Sequence, residues 1–448
     1  MHNRTEQFLN DPVFPLLIRM SAPNTIAFFI QAIVVLAEVW FISKLGTTSL
    51  AAVAIAFPII MLTQQMAFGA LGGAVTSSIA RSLGAEDKER AEKLLWHSLL
   101  LSCCGYLLFF LIFFIGGENL LMALGGEGLL LEESLLYIKI FLTGAIFIWL
   151  SGTLSAALRG IGNMRFPALL MIAGSGIQVI LAGGLILGWF GLPKLGIIGA
   201  PLSAISVAAL MAIVMILKFM HSSSNVQLKL SNLSFKKELF GDIFNVALPA
   251  SLAPIFTVGT ILILTGLVGQ FGVSALAGYG IGSRIEFLMI PLVFGIGTAM
   301  TTMVGTNIGA KKVERAERIG WLGGSFAGLF SGMIGLMLIL SSSYWINFFA
   351  TDQATYEVTK QYIEIVGLCF TFQGLGLSLY FASQGANAMK WPIIATVIRF
   401  VVAALGGWIA VNWFSSGIAG VFYAAASAMT IYGVMLVLSL KLGAWRSN

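Results

Sequence analysis

Three polar side chains, Asn24, Gln31 and Glu38, punctuate a long apolar run near the start of the chain. They recur at every seventh position, a spacing that returns to nearly the same side of a helix. The run from 15 to 44 is long enough to span a bilayer, which takes about 20 predominantly apolar residues. At 1.5 Å rise per residue Glu38 lies roughly 10 Å short of its far end, inside the hydrocarbon zone. A carboxylate there costs on the order of 2.5 to 3.5 kcal/mol on insertion scales, so such groups face protein or water and mark paths for ions or substrates. One carboxylate among apolar side chains is apt for a lipophilic cation. Asn24 and Gln31 share its face and are candidate substrate contacts; hydrogen bonding to neighbouring helices is their structural alternative.

The whole chain reads as a membrane protein. Of its 448 residues 58% are hydrophobic and 10% charged, with a mean hydropathy of +0.94, whereas soluble domains carry about 25% charged residues. The polar opening MHNRTEQFLNDP runs straight into the first span without a cleavable apolar core, so no segment is expected to be removed. Cys103, Cys104 and Cys369 fall in apolar runs and read as core residues. The net charge of +6 is a topology signal in such a chain and implies no nucleic-acid partner.

Hydropathy divides the sequence into twelve spans at about 15–44, 50–80, 94–117, 131–158, 166–190, 196–219, 240–270, 275–306, 318–349, 358–383, 391–413 and 417–441. The polar, basic stretch from His221 to Lys237 is expected to be a flexible cytoplasmic linker between an N-lobe, 1–220, and a C-lobe, 238–448. Basic residues gather on one side (Arg81, Lys88, Arg90, Lys93, Arg159, Arg165, Lys311, Lys312, Arg315, Arg318). Acidic ones gather on the other (Glu118, Glu127, Glu132, Glu133, Asp352, Glu357). The positive side is the cytoplasmic one, which puts both termini there and makes this a multi-pass protein of the cell (inner) membrane.

The halves repeat one another. SAPNTIAFF and FISKLGTTSLAA parallel ALPASLAPI and LVGQFGVSALAG, with Pro23 on Pro249 and Gly46 on Gly272. RSLGAEDKERAEK pairs with TNIGAKKVERAER, and LRGIGNMRFP with SQGANAMKWP, bringing Arg90 onto Arg315 and Gly160 onto Gly385. Six spans per copy insert in one orientation, related by an axis along the membrane normal. The fold class expected is therefore all-α: twelve transmembrane helices in two pseudo-symmetric six-helix lobes around a central cavity.

These same stretches, SAP followed by EVWFISKLGTTSLAA, then ARSLGA, LRGIGNMRFP and QGANAMKWP, resemble the multidrug and toxic compound extrusion family over nearly the whole chain. The resemblance implies an exporter that exchanges organic compounds, often amphipathic cations, for inward-moving Na⁺ or H⁺. It implies that Glu38 stands where the family often carries an aspartate proposed to bind the coupling ion. One branch adds an asparagine and an aspartate in the fifth helix, and alignment through GLILGWFG puts Gln178 and Ala182 there. Glu38 and Gln178 are thus the expected ion-coupling residues. The ion expected is H⁺ ahead of Na⁺, because sodium wants several oxygen ligands and a proton needs one carboxylate; a sodium site at Glu38, Gln178 and Ser203 is the alternative, with Ser206 as a further hydroxyl.

Other intramembrane polar groups are Arg284, Glu286, Gln373 and Arg399. Arg284 and Glu286, two residues apart, point to different faces of a helix. Glu286 is a candidate contact for cationic cargo or a proton, or pairs structurally with a neighbouring helix. Gln373 is a candidate cavity residue, and Arg399 lies near enough to a span end to snorkel. No HExxH, GxSxG, paired-cysteine or Walker pattern occurs, so neither an enzyme nor a cofactor is expected and energy must come from an ion gradient. The function expected is a monomeric antiporter exporting amphipathic cationic organic compounds by alternating access. A flippase of lipid-linked saccharide from the same superfamily, which would want a basic cavity, and a major-facilitator-type transporter are the alternatives.

Overall fold

A computed structural model describes residues 3–221, 226–286, 289–349 and 352–446. Among the described residues twelve helices are long and apolar enough to cross a membrane, from Val13–Ser43 to Gly417–Lys441. The first, at 31 residues, is about 46 Å long at helical rise and reaches beyond the hydrocarbon on its own. The expected all-α, twelve-span architecture is the one observed.

The chain forms two compact units, Met1–Arg4 with Ile26–Ala247 and Thr5–Thr25 with Leu248–Asn448. Their edges fall within the first and seventh spans, close to Pro23 and Pro249, both inside helices. A proline has no N–H to return to the preceding turn and crowds the carbonyl four residues back. The first turns of the first span group with the second unit, and those of the seventh, Lys237–Gly269, with the first.

The repeat read from sequence is also present in the hydrogen bonds. Thr76 Oγ1 donates to Ala156 O at 2.9 Å in the first unit, and Thr301 Oγ1 to Phe381 O at 2.9 Å in the second. Ser134 Oγ donates to Ala52 O at 3.3 Å, and Thr359 Oγ1 to Gly278 O at 3.1 Å. Each pair ties the second span of a repeat to the fourth, and the close approach there requires glycine. A Cβ on Gly160 would meet Thr76 O at 3.0 Å, and one on Gly385 would meet Thr301 O at 2.5 Å.

Two spans are less regular than hydropathy suggests. The second, Thr47–Gly84, carries a π-helical stretch at Gln65–Leu71, a local widening often found where helices serve function. The eighth, expected to be continuous over 275–306, is two helices, Val273–Glu286 and Ile290–Gly309. Pro291 opens the second of these, where its missing N–H is harmless, though it would interrupt a continuous helix.

The linker differs from expectation as well. Residues 222–225 of the predicted stretch lie outside the described residues, but the rest is pinned to the third span, Lys88–Ala123. Glu92 accepts from the Gln227 amide at 3.2 Å and from Asn232 Nδ2 at 2.6 Å; Trp96 Nε1 donates to Lys229 O at 2.9 Å; the Lys236 amide meets His97 Nε2 at 3.0 Å. Val226, within the linker itself, is fully buried. Polar composition suggested a loose connection, whereas its backbone groups are held.

Candidate functional site

In the first unit, Glu38 is half-buried on the first span and meets the fifth and sixth. Gln178 Nε2 donates to its Oε1 at 2.8 Å, and Ser203 Oγ lies 3.5 Å from the same oxygen while donating to Ala200 O at 2.7 Å. One helical turn before Gln178, Ser175 Oγ donates to Gln31 Oε1 at 3.1 Å. Gln31 and Glu38 thus face the same helix, Arg165–Leu187, as their spacing of seven predicted. Tyr137 is buried on the fourth span, in the apolar cluster that also holds Phe41 and Ile42. No base stands within ion-pair distance of Glu38 among the described residues.

The third member of the stripe parts from the other two. Asn24 belongs to the second unit, where its Nδ2 donates to Thr298 Oγ1 at 3.2 Å. Ser206 also stays apart from Glu38 and turns to Leu202 O at 2.7 Å. Ala182, where one branch of the family would carry a second acid, is fully buried in an apolar cluster with Phe41, Ile42 and Ile186. That position is packed with apolar side chains, and among the described residues Glu38 is the one acid in the hydrogen-bonded group of Gln31, Glu38, Ser175, Gln178 and Ser203.

In the second unit, Glu286 Oε2 accepts from Tyr362 OH at 3.0 Å, and among the described residues no base lies within ion-pair distance of it. The Arg399 guanidinium lies 5.3 Å from the Tyr432 ring centroid, an attraction between cation and ring face. Arg399 therefore engages the protein where snorkelling toward water was expected. Tyr362 packs edge-on against Tyr279 at 5.6 Å and Phe422 at 5.1 Å. No ion pair joins Arg284 to Glu286 among the described residues. Gln373 is buried with its Oε1 lacking a hydrogen-bond partner among them, and no hydrogen bond connects it to Glu286.

The family model MatE matches residues 23–182 and 249–409, one stretch in each repeat. The chain belongs to the MatE family. That assignment removes the major-facilitator alternative. Among similar proteins, this MatE chain is 26% identical over 419 residues to a FAD transporter of Shewanella oneidensis, covering 90% of each. It is 26% identical over 438 residues to the multidrug export protein MepA of Staphylococcus aureus, covering 95% of each. A solved structure of a MOP superfamily transporter from Pyrococcus furiosus shares the fold, with a TM-score of 0.92 and 24% identity over 99% of this chain and 98% of that one. The two-lobe MatE architecture is thus established for this chain, as is its place among membrane transporters rather than enzymes.

Several neighbours of the MatE site carried no signal in the sequence. Ser175, Thr298 and Tyr362 are common residue types in helices, and only the packing of one span on another makes them partners of Gln31, Asn24 and Glu286. Gln178 was legible because alignment through GLILGWFG fixed its place.

Proposed function

We propose that the protein is a secondary antiporter of the inner membrane, with both termini cytoplasmic, in which Glu38 is the coupling site and Gln178 its positioning partner. The observation that carries this reading is the Glu38 surroundings: a carboxylate inside a span, held by an amide nitrogen at 2.8 Å and a hydroxyl at 3.5 Å and facing no base in ion-pair range. Neutral donors orient the carboxylate without cancelling its charge. The group is left to take a proton or a cationic cargo in turn, and competition for one charge gives exchange.

H⁺ is the coupling ion this arrangement favours over Na⁺. Gln178 turns its amide donor toward Glu38, and the Ser203 proton is directed to Ala200 O or to Glu38 itself. A sodium ion would want oxygen atoms from both, and the position that might add a second carboxylate is Ala182. The cargo class is amphipathic organic cations, exported by a monomer through alternating access of its lobes. Asn24, Gln31, Glu286 and Gln373 remain the proposed further contacts with cargo.

Efflux of a fluorescent organic cation from proteoliposomes, driven by a pH difference alone and by a Na⁺ gradient alone, tests the proposal. Transport under the pH difference that disappears in Glu38→Gln supports it. Strong transport under the Na⁺ gradient, lost in the same variant, keeps the site and rejects the proton.

A further inference from the structure

The loops after the second and eighth spans are copies of one another in the repeat, yet they manage charge in opposite ways. In the first unit every base of RSLGAEDKERAEK has a carboxylate: Arg81 and Arg90 both reach Asp242, Arg90 at 3.1 Å; Lys88 lies 3.9 Å from Glu92; and Lys93 pairs with Glu89. In the second unit Lys311, Lys312, Arg315 and Arg318 have none within ion-pair distance among the described residues. Lys312 Nζ donates to Leu9 O at 3.3 Å and Asn10 Oδ1 at 3.2 Å, and Arg315 donates to Phe8 O at 3.0 Å and to Asp11 O. These hydrogen-bond acceptors are neutral; Glu314, in the same loop, is an acid that offsets part of the charge.

The helix cap differs in the same sense. Asp87 caps the third span by accepting from the Arg90 amide at 2.8 Å. The equivalent residue at the start of the ninth span, Val313–Leu340, is Lys312, with no side-chain cap bond. Glu314, in the first turn of this helix, answers part of its positive end, and the cations beside it still favour a further anion there. Lys311, Lys312, Val313, Glu314, Arg315 and Arg446 line an open cleft of ≈ 550 Å³, and Glu317 holds the Arg446 guanidinium with contacts of 2.7 and 2.6 Å. The eighth span ends at Gly309 and the ninth begins at Val313, so the cleft sits at the turn that joins these two spans.

We propose that this cleft binds a phosphate-bearing anion, with Lys311 and Lys312 supplying charge and the anion taking the place that Asp87 fills in the other repeat. The same phosphate chemistry is offered by an anionic lipid headgroup and by free phosphate, and basic pockets at the ends of spanning helices suit the former. The full-length protein in phosphatidylcholine nanodiscs containing increasing phosphatidylglycerol, followed by thermal unfolding, provides the test. A parallel series titrates inorganic phosphate into discs of phosphatidylcholine alone. Wild type is expected to be stabilised by phosphatidylglycerol, and the half-saturating fraction should rise roughly tenfold in the Lys311→Asn, Lys312→Gln double variant, from loss of two surface charges. The Lys88→Gln, Lys93→Gln pair in the matching loop should behave as wild type. Stabilisation by inorganic phosphate that the double variant loses would assign the cleft to the free anion, with the site upheld. A lipid response unchanged in the double variant, or no response of wild type to either anion, overturns the site. Should the double variant not fold, phosphatidylglycerol retention by Lys312→Gln in native mass spectrometry decides in its place: retention equal to wild type overturns the proposal.

Discussion

Glu38 and Glu286 both sit in apolar helices, one in each unit, and both are half-buried, but their neighbours differ in kind. Glu38 meets an amide and a hydroxyl, whereas Glu286 meets a phenol set among aromatic rings, and among the described residues neither has a base within ion-pair distance. Neutral donors of either kind orient a carboxylate without cancelling its charge. One held by neutral donors gains a counter-charge only when a proton or a cation arrives. What separates the two is the donor set around each carboxylate, an amide and a hydroxyl for Glu38 and a phenol for Glu286.

The widest gap expected between the two sites is in ion-driven flux. Glu38→Gln should reduce cargo efflux by about 100-fold at unchanged protein abundance, near the upper end of usual coupling energies, and Glu286→Gln by less than about fivefold. The reverse ranking, measured in proteoliposomes, would break the comparison. Adding the acid that the first unit lacks comes next: Ala182→Asp, in a fully buried apolar cluster, should cost on the order of 3 kcal/mol, read as a lowered Tm. A variant as stable as wild type would show that this position is wetter than its packing indicates.

Smaller effects separate positioning from pairing. Gln178→Leu removes one hydrogen bond to a charged group and should weaken efflux roughly tenfold, while Gln178→Glu, which sets two acids face to face, should move the pH profile of transport. A profile unmoved by either change would deny Gln178 any part in orienting Glu38. The smallest effect is expected in the second unit, where Tyr362→Phe removes the hydroxyl at Glu286 and should cost about 1 kcal/mol of stability with flux near wild type. A collapse of flux in that variant would make the Glu286 group part of coupling.

The repeat was legible because prolines and glycines are marks of backbone geometry. Pro23 and Pro249 flag the helices divided between the units, and Gly160 and Gly385 the points where no Cβ fits. The face of Gln31 and Glu38 was legible from a spacing of seven. Arg399 was misread because its ring partner, Tyr432, lies on another span, and proximity between spans leaves no periodicity. The linker was misread for a related reason: Glu92, Trp96 and His97 hold it largely through backbone groups, which are the same in every sequence. Hydropathy averaged across the eighth span because residues around Pro291 are as apolar as a continuous helix would be.

The central claim is that one carboxylate serves proton and cargo in turn, and proton release on cargo binding tests it most directly. An organic cation added to purified protein in weakly buffered detergent solution with a pH indicator should release protons from wild type and from Glu286→Gln, up to one per cargo bound, and none from Glu38→Gln. Release that persists in Glu38→Gln and vanishes in Glu286→Gln would place the exchange in the second unit and contradict the account.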